Sequence, residues 1–190
     1  MINPIQISGL WDDGYALDLY TLSSEYTGED VFGHPQFNNT YSDIGQLLYH
    51  FKYNGHIDTR KEIAAMAVDF LTPWLSEKNV DILLPCPSSI TRDIQPVYAI
   101  AYEIAALLKL PYSDEVLKKG SSVPIKNIAK DERNLEGIIQ QIKPAKRPCN
   151  ILLIDDIFDS GATANECVRV LKQDPLVQKV YFLAIAKKRK

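Results

Sequence analysis

The stretch that decides the fold is N-I-L-L-I-D-D-I-F-D-S-G-A-T, which covers residues 150–163. Its four consecutive apolar residues, 151–154, are typical of a strand that is buried on both faces of a sheet. Two acids, Asp155 and Asp156, stand where we predict this strand to end. Because ligand crevices in open α/β sheets lie beyond the carboxyl ends of the strands, the stretch predicts a binding site as well as a strand.

The segments on both sides of this stretch alternate between strand and helix patterns. We predict buried strands at 81–86, 150–156 and 180–186, and helices at 95–109 and 163–173. Two more helices are predicted upstream, one capped by Ser42 and ending at Asn54-Gly55, the other running from Asp58 to Pro73. This alternation indicates an α/β fold in which a parallel sheet is flanked by helices on both faces.

The N-terminal part of the chain has a different pattern. Two apolar segments flank Asp13-Gly14, a dipeptide that suits a tight turn, so a β-hairpin is predicted there. The polar residues 27–40 are predicted to form a loop. We therefore predict a single domain, with residues 1–41 as an N-terminal hairpin and hood region and residues 42–190 as the helical lead-in and the α/β core.

Composition and charge exclude several classes of protein. The chain has 190 residues, of which 46% are hydrophobic and 24% charged, as in ordinary globular domains. Its three cysteines form no C-x-x-C pair, which argues against a zinc ribbon and a disulfide framework. The net charge of −3 argues against an extended nucleic-acid surface. Since no signal-peptide pattern or membrane-spanning apolar run is visible, we expect a soluble cytoplasmic protein without membrane contact.

The turn after the acids, residues 159–163, has the chemistry of a phosphate site. The free N–H groups and positive dipole end of the following helix attract anions, and Gly161 lets the backbone approach closely. Ser160 and Thr163 add hydroxyl donors. Paired carboxylates accept hydrogen bonds from vicinal sugar hydroxyls and help to hold Mg²⁺ through water, so a ribose 5-phosphate site is predicted. The alternative is structural, because Thr163 and Glu166 have the spacing of a helix capping box.

This stretch resembles the phosphoribosyl pyrophosphate (PRPP) fingerprint of the type I phosphoribosyltransferases. Three other segments are similar to the ComF-like branch of that superfamily. They are F-K-Y-N-G (51–55), D-I-L-L-P-C-P-S-S (81–89) followed by Thr91-Arg92, and D-E-R-N-L-E-G (131–137). The similarity runs from residue 42 to residue 186 and does not include the four-cysteine zinc module with which many ComF-like proteins begin.

The resemblance implies an enzyme that uses PRPP and Mg²⁺ to transfer phosphoribosyl to a nitrogenous acceptor, for example a nucleobase, with release of pyrophosphate. It implies that Asp155 and Asp156 hold the ribose hydroxyls, and that they act in catalysis together with Asp159 and Arg92. The remaining PRPP contacts that it implies are Asp159, Ser160, Gly161, Ala162 and Thr163 at the 5-phosphate, Ser88, Ser89, Thr91 and Arg92 at the pyrophosphate, and Lys118, Lys119 and Arg133 in a lid.

Several alternatives remain open at this point. Asp159 is either a base or hydrogen-bond partner for the acceptor or the N-cap of the following helix, and Arg92 is either a pyrophosphate contact or a surface residue. The lysines of the lid also fit a solvated loop. The alternatives to an enzyme are a non-catalytic PRPP-binding regulator and a ComF-like accessory protein for competence and nucleic-acid handling. The resemblance is compatible with a homodimer.

Overall fold

The computed structural model describes residues 2–88, 94–120 and 138–189. Its strands are β1 (Ile5–Gln6), β2 (Asp13–Ala16), β3 (Thr21–Glu29), β4 (Pro35–Tyr41), β5 (Ile82–Pro85), β6 (Leu117–Lys119), β7 (Ile139–Gln141), β8 (Cys149–Phe158) and β9 (Val177–Lys187). Its helices are α1 (Asp43–Tyr53), α2 (Thr59–Leu75), α3 (Pro96–Leu108) and α4 (Ala162–Leu171). Four residues of the predicted site, Ser89, Thr91, Arg92 and Arg133, lie outside the described residues.

The centre of the molecule is a mostly parallel sheet in the order β1-β2-β9-β8-β5. β8 pairs in parallel with β5 and with β9, placing Leu153 opposite Leu84 on one side and opposite Phe182 on the other. β2 continues the parallel arrangement beside β9, and β1 joins it antiparallel at the edge. The predicted α/β class with a parallel sheet is therefore confirmed.

Two apolar layers cover this sheet, one on each face. On the first face Leu153 and Phe182 pack with Cys167 of α4, and all three are fully buried. On the second face Leu152, Ile154 and residues of β9 pack against α1, α2 and α3. Successive side chains of a strand point to opposite faces, so an uninterrupted apolar run is required where both faces are covered. Each such buried side chain contributes about 1.5–3 kcal/mol.

The prediction of a turn at Asp13-Gly14 is wrong. These two residues begin β2, in which Gly14 lies opposite Phe182 of β9. A glycine is needed there because a Cβ atom would lie 2.4 Å from Nε1 of Trp11. The Trp11 ring is in turn buried, with its centroid 4.6 Å from that of Phe182. The strands β1 and β2 are therefore part of the core sheet, and the connection between them is formed by residues 7–12.

A long hairpin lies in the segment that was predicted to be a loop. β3 and β4 pair antiparallel as a separate two-stranded sheet. Asp30 forms the turn by accepting hydrogen bonds from the N–H groups of Phe32 and His34, at 2.8 and 2.9 Å. Most side chains of both strands are exposed. Because neither face is covered, the sequence lacks the apolar alternation by which a half-buried strand is recognised.

The helices upstream of the core follow the predicted boundaries closely. The hydroxyl of Ser42 accepts a hydrogen bond from the N–H of Gly45 at 3.0 Å, and α1 ends at Tyr53, immediately before Asn54-Gly55. α2 passes through Pro73 and ends two residues later, at Leu75. No helix within the described ranges is long and apolar enough to span a membrane.

Candidate functional site

The two acids lie near the C-terminal end of β8, inside the strand and not after it. Pairing with β9 continues as far as Phe158, because β9 itself extends to Lys187 and supplies backbone partners. The predicted strand end at residue 156 is therefore too early. On the other side, the N–H of Cys86 donates to the carbonyl of Ile154 at 2.7 Å. This bond brings the segment after β5 beside the acids.

A cavity of about 230 Å³ opens at this edge of the sheet. Four of the predicted site residues line it: Ser88, Asp155, Asp156 and Thr163. They come from the segment after β5, from β8 and from the first turn of α4, so the fold brings together side chains that are far apart in the chain. The position agrees with the general rule that ligands bind at the carboxyl ends of parallel strands.

Burial and mutual repulsion govern the charge of the acid pair. Burial, and to a smaller extent repulsion from the neighbouring Asp156 carboxylate, raise the pKa of Asp155 to about 7. The N–H of Asp156, which donates to Oδ1 of Asp155 at 2.8 Å, acts in the opposite direction, as does Lys52. Asp155 thus exchanges its proton near neutral pH, where a hydrogen-bonding partner can determine its charge.

The raised pKa of Asp155 predicts a loss of stability as the pH rises. The ordinary Asp value is 3.8, so between about pH 4 and pH 7 the folded chain binds a proton that the unfolded chain has lost. We expect Asp155→Asn to gain stability over the wild type by about 1–3 kcal/mol at pH 8 and by much less at pH 4. Urea unfolding of both proteins at the two pH values measures this difference. An equal difference at both pH values would contradict the assignment.

Lys52 of α1 is a member of the site that sequence reasoning did not predict. Its Nζ lies 2.7 Å from Oδ2 of Asp156, and the two side chains are 11% and 21% exposed. It also lines the cavity. Lys52 belongs to the F-K-Y-N-G segment, which was noted only for its family resemblance. Its contact with Asp156 depends on how α1 packs against the sheet, and a local sequence pattern does not predict that packing.

The turn between β8 and α4 leads into a helix N-terminus, which is the setting that the predicted phosphate site requires. Gly161 has a φ of +79° and is the N-cap of α4, and the first helical bond runs from the N–H of Asn165 to the carbonyl of Gly161 at 2.8 Å. The N–H groups ahead of this bond have no acceptor within the helix and are directed out of its N-terminus. One of these groups, the N–H of Ala162, donates to the hydroxyl oxygen of Ser160 at an N–O distance of 3.4 Å.

The capping-box alternative is wrong for this turn. α4 begins at Ala162, so Thr163 lies inside the helix and cannot be its N-cap. The Glu166 carboxylate is buried and forms a two-pronged ion pair with Arg169, with both N–O distances at 2.7 Å. Thr163 is instead turned toward the cavity that the acids line.

Asp159 is not the N-cap of α4 either, since that position belongs to Gly161. Its side chain is 64% exposed, and its Oδ2 lies 2.6 Å from Nζ of Lys188. Among the described residues that line the cavity, Asp159, Ser160, Gly161 and Ala162 do not appear. The role of Asp159 as a base or hydrogen-bond partner for the acceptor remains a prediction.

The predicted pyrophosphate side is described in part. The N–H of Ser88 donates to the Tyr98 hydroxyl at 3.3 Å. Lys118 and Lys119 lie on β6 and line a second cavity, which shares Pro87 and Ser88 with the first. The cavity with the two lysines and the cavity with the acid pair therefore share the segment Pro87-Ser88.

Two other kinds of chemistry find little support at this site. Cys86 lies in the cavity wall, but burial raises the pKa of its thiol, with further increases from Cys167 and Asp155, so the reactive thiolate is disfavoured. Among the described residues, no group of three or more His, Cys, Asp or Glu side chains could hold a metal ion. The acid pair can hold Mg²⁺ only as part of a larger set of ligands, which fits an ion that a substrate chelates.

Comparison with known proteins supports the fold. No protein-family model matches the chain, and no curated protein matches it in sequence. Adenine phosphoribosyltransferase from Trypanosoma brucei, solved with AMP, pyrophosphate and ribose 5-phosphate, aligns with a TM-score of 0.53 at 10% identity, over 98% of this chain and 87% of that one. This protein therefore has the fold of the phosphoribosyltransferases.

Two further structures align less closely. Adenine phosphoribosyltransferase from Saccharomyces cerevisiae gives a TM-score of 0.47 at 13% identity, over 87% of this chain and 85% of that one. A hypothetical protein from Neisseria gonorrhoeae with bound ppGpp gives 0.48 at 14% identity, over 70% and 69%. Sequence identities this low give no evidence about the activity of this protein.

Proposed function

We propose that this protein is a phosphoribosyltransferase that transfers the phosphoribosyl group of PRPP to a nitrogenous acceptor. The observation that carries the proposal is the placement of Asp155 and Asp156 in one cavity with Thr163 of α4, beside the turn at Gly161. A carboxylate pair suits a vicinal diol, and a helix N-terminus suits a phosphate. Ribose 5-phosphate carries both groups on one small ring.

The reaction asks mainly for positioning and for electrostatic stabilisation. Bond breaking to pyrophosphate places positive charge on the ribose, which the acid pair stabilises. The N–H groups at the start of α4 hold the 5-phosphate and so orient the anomeric carbon. In this proposal Ser88, which lines the same cavity, contacts the leaving group. Mg²⁺ bound to PRPP would neutralise charge on the pyrophosphate. The sequence segments 51–55, 81–92 and 131–137 support an assignment to the ComF-like branch.

Calorimetry with PRPP and Mg²⁺ tests the proposal directly. We expect saturable binding with a Kd of about 1 μM–1 mM, the usual range for enzyme substrates, and weaker binding of ribose 5-phosphate. Pyrophosphate release measured over a panel of nucleobases and amines then identifies the acceptor. A folded sample that takes up neither PRPP nor ribose 5-phosphate would refute the proposal.

A second reading, a PRPP-binding regulator without turnover, has one observation in its favour. Asp159, the residue proposed to face the acceptor, is exposed and paired with Lys188. The same experiment separates the two readings, because a regulator would bind PRPP and release no pyrophosphate with any acceptor. A transferase would release it with at least one.

A further inference from the structure

Lys52 is held against the acid pair by helix α1, which packs on the second face of the central sheet. α1 is anchored on the second face of the sheet by Leu48 and Phe51, which are buried there. The next residue, Lys52, extends to the cavity and places its ammonium 2.7 Å from Oδ2 of Asp156. Because this end of α1 is anchored, the ammonium group of Lys52 can reach only a limited set of positions.

The ion pair has a physical reason in the neighbourhood of two acids. Adjacent carboxylates at a half-buried site repel each other, and burying a lysine is costly unless its charge is compensated. The Lys52 ammonium, 11% exposed, relieves both costs at once. The second carboxylate oxygen of Asp156 then remains to accept a hydrogen bond. In other acid pairs, a bound divalent cation supplies this compensation.

We propose that Lys52 is the counter-ion and positioning residue of the acid pair, orienting Asp156 toward the ribose hydroxyls and standing where a protein-bound divalent cation would otherwise be needed. The inference rests on the proposed function and adds to it that two different cations compensate the negative charges of the protein and of the substrate. Lys52 compensates the acids of the protein, and Mg²⁺ enters only with the pyrophosphate of the substrate. Ribose 5-phosphate, which has no pyrophosphate, isolates the part that Lys52 plays.

The test measures ribose 5-phosphate affinity with EDTA and with Mg²⁺ in four proteins: wild type, Lys52→Met, Lys52→Arg and Lys61→Met. We expect the wild type to bind equally well in both conditions. Lys52→Met should bind about 10–100-fold more weakly in EDTA, the usual cost of losing an orienting partner, and should recover in part with Mg²⁺. Lys52→Arg should stay within about threefold of the wild type, since it keeps the charge. Lys61 is 63% exposed and lies 4.0 Å from Asp58, so Lys61→Met controls for the loss of a lysine.

A second measurement does not depend on the proposed function. Titration of the ligand-free proteins with Mn²⁺, followed by water-proton relaxation, should reveal a site in Lys52→Met that the wild type lacks. The double variant Lys52→Met/Asp156→Asn should lose it again. If Lys52→Met binds ribose 5-phosphate like the wild type and gains no Mn²⁺ site, the inference is overturned while the proposed function stands. If neither the wild type nor any variant binds PRPP or ribose 5-phosphate, the proposed function fails, and the Mn²⁺ result alone decides whether Lys52 is the counter-ion.

Discussion

Replacing either Asp155 or Asp156 by asparagine is expected to lower the rate of pyrophosphate release from PRPP by about 10²–10³-fold. Asparagine keeps the shape but loses the charge and one acceptor oxygen, so charge-assisted hydrogen bonds to the ribose hydroxyls, worth about 1.5–3 kcal/mol each, are lost. The negative charge that stabilises the developing positive charge on the ribose is lost as well. The measurement is kcat/KM for pyrophosphate release, together with PRPP affinity by calorimetry.

A matched variant separates this effect from a general loss of charge. Asp58 stands at the start of α2 with its side chain 93% exposed, so Asp58→Asn removes one carboxylate that does not line the cavity and should leave both measurements unchanged. Asp156→Asn should also lower the melting temperature, because the largely buried ammonium of Lys52 then loses the carboxylate that compensates its charge. Wild-type rates in either site variant would show that the acid pair takes no part in the reaction.

Gly161→Ala is expected to destabilise the fold by about 2–5 kcal/mol and to weaken ribose 5-phosphate binding by about tenfold or more. The φ of +79° costs an alanine about 1–2 kcal/mol, and its Cβ would lie 2.7 Å from Cε2 of Phe158, which adds an overpacking cost of about 1–3 kcal/mol. Relief of that contact moves the turn and with it the N–H groups at the start of α4. Urea unfolding and calorimetry with ribose 5-phosphate measure the two effects.

Gly55 offers a control with the same backbone conformation and a different environment. Its φ is +71°, and a Cβ added there meets no atom within 4 Å. Gly55→Ala should therefore cost only the backbone part, about 1–2 kcal/mol, and should leave ribose 5-phosphate affinity intact. Equal losses of stability in the two variants would mean that the contact with Phe158 has no energetic effect.

The core of the fold was readable because its signals are local. The apolar run at 151–154 needs both faces of a sheet covered, and the hydroxyl of Ser42 marks a helix start wherever the helix then packs. The hairpin of β3 and β4 was missed for the same reason. Both of its faces are exposed, so its sequence does not need the alternation of apolar and polar residues that marks a half-buried strand.

Gly14 and Gly161 show how one residue type carries two meanings. Gly161, for which the sequence predicted only a close approach of the backbone to a ligand, has a positive φ at the turn after the acids. Gly14 instead makes room for the indole of Trp11 inside a strand. The sequence around Asp13-Gly14 fits a turn equally well, because the contact that requires the glycine is made by tertiary packing.

For the candidate site, the sequence by itself determined which residues are chemically equipped: two neighbouring acids at a buried strand, and a Ser-Gly-Ala-Thr turn that opens a helix. Only the tertiary structure decided which charges those acids meet. It paired Asp156 with Lys52 and Asp159 with Lys188, and it brought Ser88 to the same cavity. The physical reason is that chemical groups are properties of single residues, whereas charge compensation depends on distances, and those distances are set by the order in which strands and helices pack.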